Sequence, residues 1–183
     1  MSGVTVMSVY KGTNYGRQLQ GAISKAQGGY FEDLITNSCE HYKQIKLANI
    51  EKPPEPFRPS KRMGDGKFIG NYTQQAQPDF KGTLRGGRSI CFEAKHTDDD
   101  RILQKRVTEA QTAALNLHEQ LGAACYVFVS IQMQHFYFIP WQVWSAMKEC
   151  FGHKYMGAAE LKPYRVIFDG QKILFLKWGV KNE

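Results

Sequence analysis

Nothing in these 183 residues is long and apolar enough to cross a bilayer. The longest unbroken apolar run, Ala123 to Val129, covers seven positions, against about 20 for a spanning helix. The opening MSGVTVMSVYKG lacks the charged start and continuous apolar stretch of a secretory leader, so a cytoplasmic protein is expected. Cysteine is scarce and scattered. Its four positions, 39, 91, 125 and 150, include no C-x-x-C pair, which excludes a zinc ribbon or a dense disulfide scaffold and predicts reduced, buried thiols. Internal repeats and low-complexity tracts are absent. Acidic charge is in deficit: 17 Asp and Glu against 24 Lys and Arg leave a net charge of +7, a surplus that suits a polyanionic partner such as nucleic acid.

What is present is an ordinary folding composition, 42% hydrophobic and 22% charged, in a chain of single-domain size. Residues 1–28 are rich in Gly, Ser, Asn and Gln without sustained periodicity, and read as a flexible arm ahead of one domain over 29–183. Phe31, Leu34, Ile35, Ser38, Cys39 and Tyr42 recur at helical spacing, so a helix with one buried face is expected, entered at Gly28-Gly29. Ile45 to Ile50 is a short strand candidate. The prolines at 53, 54, 56 and 59 then forbid helix and central strand. A basic stretch over 57–76 without clear period follows, a length of loop that in a compact domain is usually functional or disordered. FKGTL, RGGR and SICFEAK form a hairpin around Gly86-Gly87. Asp98 to Asp100 offer N-cap and first-turn acids to a helix whose apolar stripe is Val107, Ala110, Ala114, Leu117 and Leu121. A strand over 123–131, its partner over 135–139, a short amphipathic helix and a hairpin at Asp169-Gly170 complete an α/β pattern.

The chemistry is carried by Asp79, Glu93 and Lys95, in the frame PDF, thirteen residues, then FEAK. Residues two apart on a strand share a face, so Glu93 and Lys95 project together. Asp79 ends the preceding strand, where opposed Cβ atoms are only ~4.5–5.5 Å apart. Two carboxylates held that close repel unless a proton or a cation lies between them, and hard oxygen ligands suit Mg²⁺ or Mn²⁺. Such an ion activates water and neutralises a phosphodiester, and a lysine beside it orients the water or stabilises the transition state. No organic cofactor is needed. The arrangement carries a condition on register. A two-residue Gly86-Gly87 turn puts Asp79 opposite Ala94, on the wrong face. A shared metal requires a three-residue loop from Arg85 to Gly87, a bulge with Gly82 as its natural place, or a bend before the strand begins.

Asp79 followed by Glu93-Ala94-Lys95 resembles the PD-(D/E)xK nuclease signature. The wider set, FE at Glu32, IEKPPEPFRP, DFKG, GGRSICFEAKHT, Gln111 and ACYVFVSI, is similar to the RecU family of Holliday junction resolvases. The resemblance implies a restriction-endonuclease-like fold, a mixed central sheet flanked by helices with a protruding basic stalk at 57–76. It implies a Mg²⁺-dependent homodimeric endonuclease, with Mn²⁺ as substitute, that nicks four-way DNA junctions. Asp79, Glu93 and Glu32 would bind metal, Lys95 would assist the attacking water and Gln111 would sit beside them. Arg58, Lys61, Arg62, Lys67, Tyr72, Lys81, Arg85 and Arg88 are the candidate DNA contacts. The sequence departs from the family's pattern at Gln77-Pro78, His96, Thr108 and Ala110. The alternatives on one fold are another repair or restriction nuclease, or a non-catalytic DNA-binding recombination accessory.

Overall fold

The computed structural model describes residues 14–54, 57–62, 68–72 and 77–176. Its frame is a five-stranded sheet with helices on both faces, the mixed α/β architecture expected. The chain enters through helix α1 (Asn14–Gln44), whose stripe of Phe31, Leu34, Ile35, Cys39 and Tyr42 is buried. Ser38 in the same stripe is fully buried yet fully used: its hydroxyl donates to the Leu34 carbonyl and accepts from the Ile173 amide. The helix runs through Gly28 and Gly29, where the sequence predicts a sharp entry, and begins well inside the expected arm. A Cβ at either glycine would meet nothing, so no backbone demand explains them, and the rest of the arm, residues 1–13, lies outside the described residues.

Strands β1 (Ala48–Glu51), β4 (Phe80–Leu84), β5 (Ser89–Thr97), β7 (Ala124–Ile131) and β8 (His135–Pro140) form the sheet in the order β1-β4-β5-β7-β8. All neighbours are antiparallel except β5 and β7, which run parallel. Parallel neighbours need a crossover. It is supplied by β6 (Ile102–Leu103), a 3₁₀ turn (Gln104–Arg106) and helix α2 (Glu109–Gln120). Within the basic stretch 57–76, which shows no clear period in sequence, the described residues form a separate antiparallel pair of β2 (Phe57–Arg62) and β3 (Phe68–Tyr72), irregular between Pro59 and Lys61. Short elements close the fold: α3 (Trp141–Ser145), α4 (Met147–Phe151), β9 (Tyr155–Met156) against β6, α5 (Ala158–Leu161), a 3₁₀ turn (Lys162–Tyr164) and the pair β10 (Ile167–Phe168) and β11 (Ile173–Leu174). No helix among the described residues is long and apolar enough to cross a membrane.

The sheet separates two cores. Phe80, Phe92, Phe128, Phe138 and Phe175 pack with α1 on one face, ring against ring at centroid distances near 5 Å. Cys91, Val127, Val129 and Leu115 pack on the face that α2 covers. Three cysteines are buried as expected, whereas Cys150 on α4 is exposed. Two other expectations are corrected. The N-cap of α2 is Thr108, ten residues beyond the first of the aspartates, because β6 and the 3₁₀ turn intervene. The helix also meets the sheet through Gln111 and fully buried Leu115, which leaves Ala110, Leu117 and Leu121 of the predicted stripe facing out.

Candidate active site

The hairpin joining β4 to β5 decides whether the acidic pair can meet. The Leu84 amide donates to the Arg88 carbonyl at 2.9 Å and the Gly87 amide donates to the Leu84 carbonyl at 3.0 Å. The loop is therefore Arg85-Gly86-Gly87, three residues, with Gly86 and Gly87 at φ of +94° and +92° where an L side chain would be strained. Phe80 pairs with Phe92 and Gly82 with Ile90, so one step further puts Asp79 level with Glu93. The register condition is met by the loop and needs no bulge at Gly82. Gly82 instead permits close strand packing, since a Cβ there would lie 1.9 Å from the Asn49 carbonyl oxygen and 2.6 Å from the Ile50 Cα. Only glycine lets β1 approach β4 this closely.

Asp79 is then tied to the partner strand, its Oδ2 accepting from the Ala94 amide at 2.9 Å. Lys95 sits between the acids, with Nζ 2.8 Å from Glu93 Oε2 and 3.6 Å from Asp79 Oδ2. Glu93 is wholly enclosed. Gln111 Nε2 donates to its Oε2, while Gln111 Oε1 accepts from the Thr108 amide and hydroxyl. That capping box fixes which end of the amide faces Glu93, because the oxygen is already engaged at the helix start. Thr108, one of the departures from the family pattern, is a site residue that the sequence reading misses. The signal that could have found it is T-x-x-Q ahead of a helix.

Burial, followed by the charge of Asp79, raises the Glu93 carboxyl from 4.5 to about 7, although Lys95 pulls the other way. Its Oε1 is sealed from solvent and receives no hydrogen bond. The nearby Asp79 carboxylate adds to the preference for a proton on Glu93. A buried oxygen with no donor beside a second carboxylate is the environment a hard divalent cation satisfies, so these residues fit the metal that the sequence implies. The pH dependence follows in sign. A carboxyl whose folded pKa is raised binds its proton more tightly when folded, so stability declines as pH rises from about 4.5 to about 7. In chelator, scanning calorimetry is expected to show this decline in the parent and not in Glu93→Gln. Identical pH slopes would contradict it.

The chain matches the RecU family, described as Recombination protein U, over residues 26–178, most of its length. It belongs to the RecU family. No curated protein matches it. Among solved structures it is similar to Hjc, a Holliday junction resolvase from the archaeal hyperthermophile Archaeoglobus fulgidus, at 12% identity and a TM-score of 0.44, covering 76% of this chain and 90% of that one.

This RecU-family chain thus brings Asp79, Glu93, Lys95 and Gln111 together. Glu32 stands apart from them. It lies on α1, over the opposite face of the sheet, and is ion-paired with Lys52; among the described residues no three acidic, histidine or cysteine side chains gather as a metal group. Lys81 shares the face of Asp79 and donates to Gln77 Oε1 at 3.0 Å. Arg85 donates to the carbonyls of Ile45 and Lys46, and Arg88 to that of Gly122, which ties down the turns that follow α1 and α2. Arg88 precedes Glu93 by five residues, about 16 Å along a strand, so both arginines mark the end of the sheet away from the acids. The backbones of Arg58, Lys61, Arg62 and Tyr72 lie on the separate hairpin. Their side chains, and Lys67 entirely, are outside the described residues.

Proposed function

We propose that this chain is a divalent-metal-dependent endonuclease that cuts four-way DNA junctions by hydrolysis of a phosphodiester. The observation that carries the reading is Glu93, fully buried, with one oxygen lacking any donor, level with Asp79 and beside Lys95. A purely structural carboxylate in that position would be costly to bury. Asp79 and Glu93 would hold Mg²⁺ or Mn²⁺. Such an ion supplies a nucleophilic water at neutral pH and neutralises charge on the phosphate. The chain's own groups do the rest. Lys95 Nζ, spanning the two acids, positions the attacking water and stabilises the extra negative charge on the phosphoryl oxygens. Gln111 keeps Glu93 Oε2 in place, so that the carboxylate stays aimed. Labelled four-way junction, duplex and single strand, each incubated with Mg²⁺, test the reading: junction should be cut in preference, and equal cutting of duplex would overturn the selectivity.

The basic hairpin is the proposed junction contact, through Arg58, Lys61, Arg62, Lys67 and Tyr72. Each phosphate contact contributes about 0.9 to the log–log salt slope on duplex arms, so Lys61→Ala with Arg62→Ala is expected to reduce that slope by about 1.8 in a binding titration. An unchanged slope would make the hairpin a bystander.

A four-way junction is two-fold in symmetry and one chain carries one site, so a two-fold dimer is the simplest agent. The outward stripe of α2 suits that assembly. Leu117 and Leu121 are 57% and 78% exposed near one end of the helix, and Ala110 and Ala113 are exposed near the other. Two copies of α2 laid antiparallel would seat the leucines of one over the alanines of its partner. Leu117→Asp with Leu121→Asp is expected to convert a dimer to a folded monomer by sedimentation, since exposed positions contribute little to the fold itself. A parent protein that sediments as a monomer on the junction would contradict the assembly.

A further inference from the structure

Cys91 and Cys125 are register partners on the parallel strands β5 and β7, with sulfurs 3.4 Å apart. They lie on the α2 face of the sheet, and Cys91 is two residues before Glu93 on the same side of β5. No role assigned to the acidic site uses them. Adjacent strands are separated by ~4.7–4.9 Å, within the Cα range that a disulfide spans, and closing the sulfurs to about 2.05 Å requires a shift of only about 1.4 Å. Cys91 also forms part of the wall of an open groove of about 580 Å³ that runs over β1, β4 and β5 between Lys52, Lys81 and His118. Cys91 is only 1% exposed at this wall, so a small oxidant reaches its sulfur from the groove through local opening of the strand edge.

We propose that Cys91 and Cys125 form a reversible redox-modification site, oxidised by a hydroperoxide to a disulfide that slows cleavage at the neighbouring acids. The Cys91 sulfur attacks the peroxide oxygen and breaks the O–O bond, giving a sulfenic acid, and the thiol proton passes to the departing oxygen, which leaves as an alcohol, or as water from hydrogen peroxide. The Cys125 sulfur then attacks the sulfenic sulfur. Its proton leaves with the displaced hydroxide as water, so two thiols and one hydroperoxide become one disulfide, one alcohol and one water. Closing the sulfurs repositions the Cys91 side chain two residues from Glu93 on the same face of β5, and an ångström-scale displacement passed on to that carboxylate costs about 100-fold in rate. The slowing rests on the nuclease reading; the disulfide itself does not.

The test uses the full chain with Cys150→Ser, which removes the exposed thiol. After hydrogen peroxide and alkylation of remaining thiols, peptide mass spectrometry should find Cys91 joined to Cys125 and Cys39 still reduced. Cleavage of labelled junction should fall about 10- to 100-fold, with binding retained, and return with dithiothreitol. Cys125→Ala, and the closer-sized Cys125→Ser as a second variant, should cut normally and lose the sensitivity. Absence of the joined peptides, unchanged cleavage once they form, or equal sensitivity in either folded Cys125 variant would overturn the proposal. Failure of the reduced protein to cut any DNA would count against the nuclease reading, while the joined peptides would still decide the thiol chemistry.

Discussion

Glu93→Gln is expected to lower the rate of junction cleavage by about 1,000-fold or more, an increase of ~4 kcal/mol in the barrier, with junction binding kept. The side chain keeps its size, and an amide oxygen can still accept from Lys95 and Gln111, which now reach the Glu93 carboxylate. What it loses is the charge that would hold a cation beside Asp79. The folded protein should not suffer, because the parent must keep an ionised carboxylate fully buried above about pH 7 and the variant need not. Asp79→Asn should behave alike in activity. The measurement is a single-turnover cleavage assay on labelled junction paired with an electrophoretic binding titration. Cleavage near the parent rate by either variant would remove the proposed metal ligands from the mechanism.

Gly82→Ala is expected to destabilise the protein by about 3 kcal/mol or more, at the upper end for an overpacked site. The added Cβ would sit 1.9 Å from the Asn49 carbonyl oxygen and 2.6 Å from the Ile50 Cα. Both are backbone atoms of a strand bound to β4 in continuous register from Ala48 with Leu84 to Glu51 with Lys81. No side chain can turn aside, so β1 must separate from β4. Asp79 immediately precedes β4, so activity should fall along with stability. Chemical denaturation checks the first claim, and a midpoint equal to the parent's would show that the two strands relax apart without cost.

Much of this is legible in the sequence because it depends on local rules. The two faces of a strand put Glu93 with Lys95, and the same alternation demands a one-residue offset in the hairpin if Asp79 is to join them. The loop Arg85-Gly86-Gly87 supplies that offset. Sequence leaves open which device is used, since two adjacent glycines satisfy either loop length. Helix α2 shows the opposite limit. Periodicity identifies Ala110, Leu117 and Leu121 as sharing a face, but the side turned to the sheet is set by Gln111 reaching Glu93 and by Leu115, so the shared face points outward. Glu32 illustrates a third case. Its place beside the acids depends on resemblance alone, and the local contact is Lys52, twenty residues along the chain. Spacing makes Asp98 a helix cap, yet its carboxylate meets the His96 ring at 3.2 Å, a pairing that spacing does not reveal.

Asp79 and Glu93 are proposed to share one divalent cation. Diffraction from crystals soaked in Mn²⁺, recorded where manganese scatters anomalously, tests it most directly. An anomalous peak is expected between the two carboxylates in the parent protein and none in Glu93→Gln. A parent structure with Mn²⁺ bound elsewhere and none between Asp79 and Glu93 would contradict it.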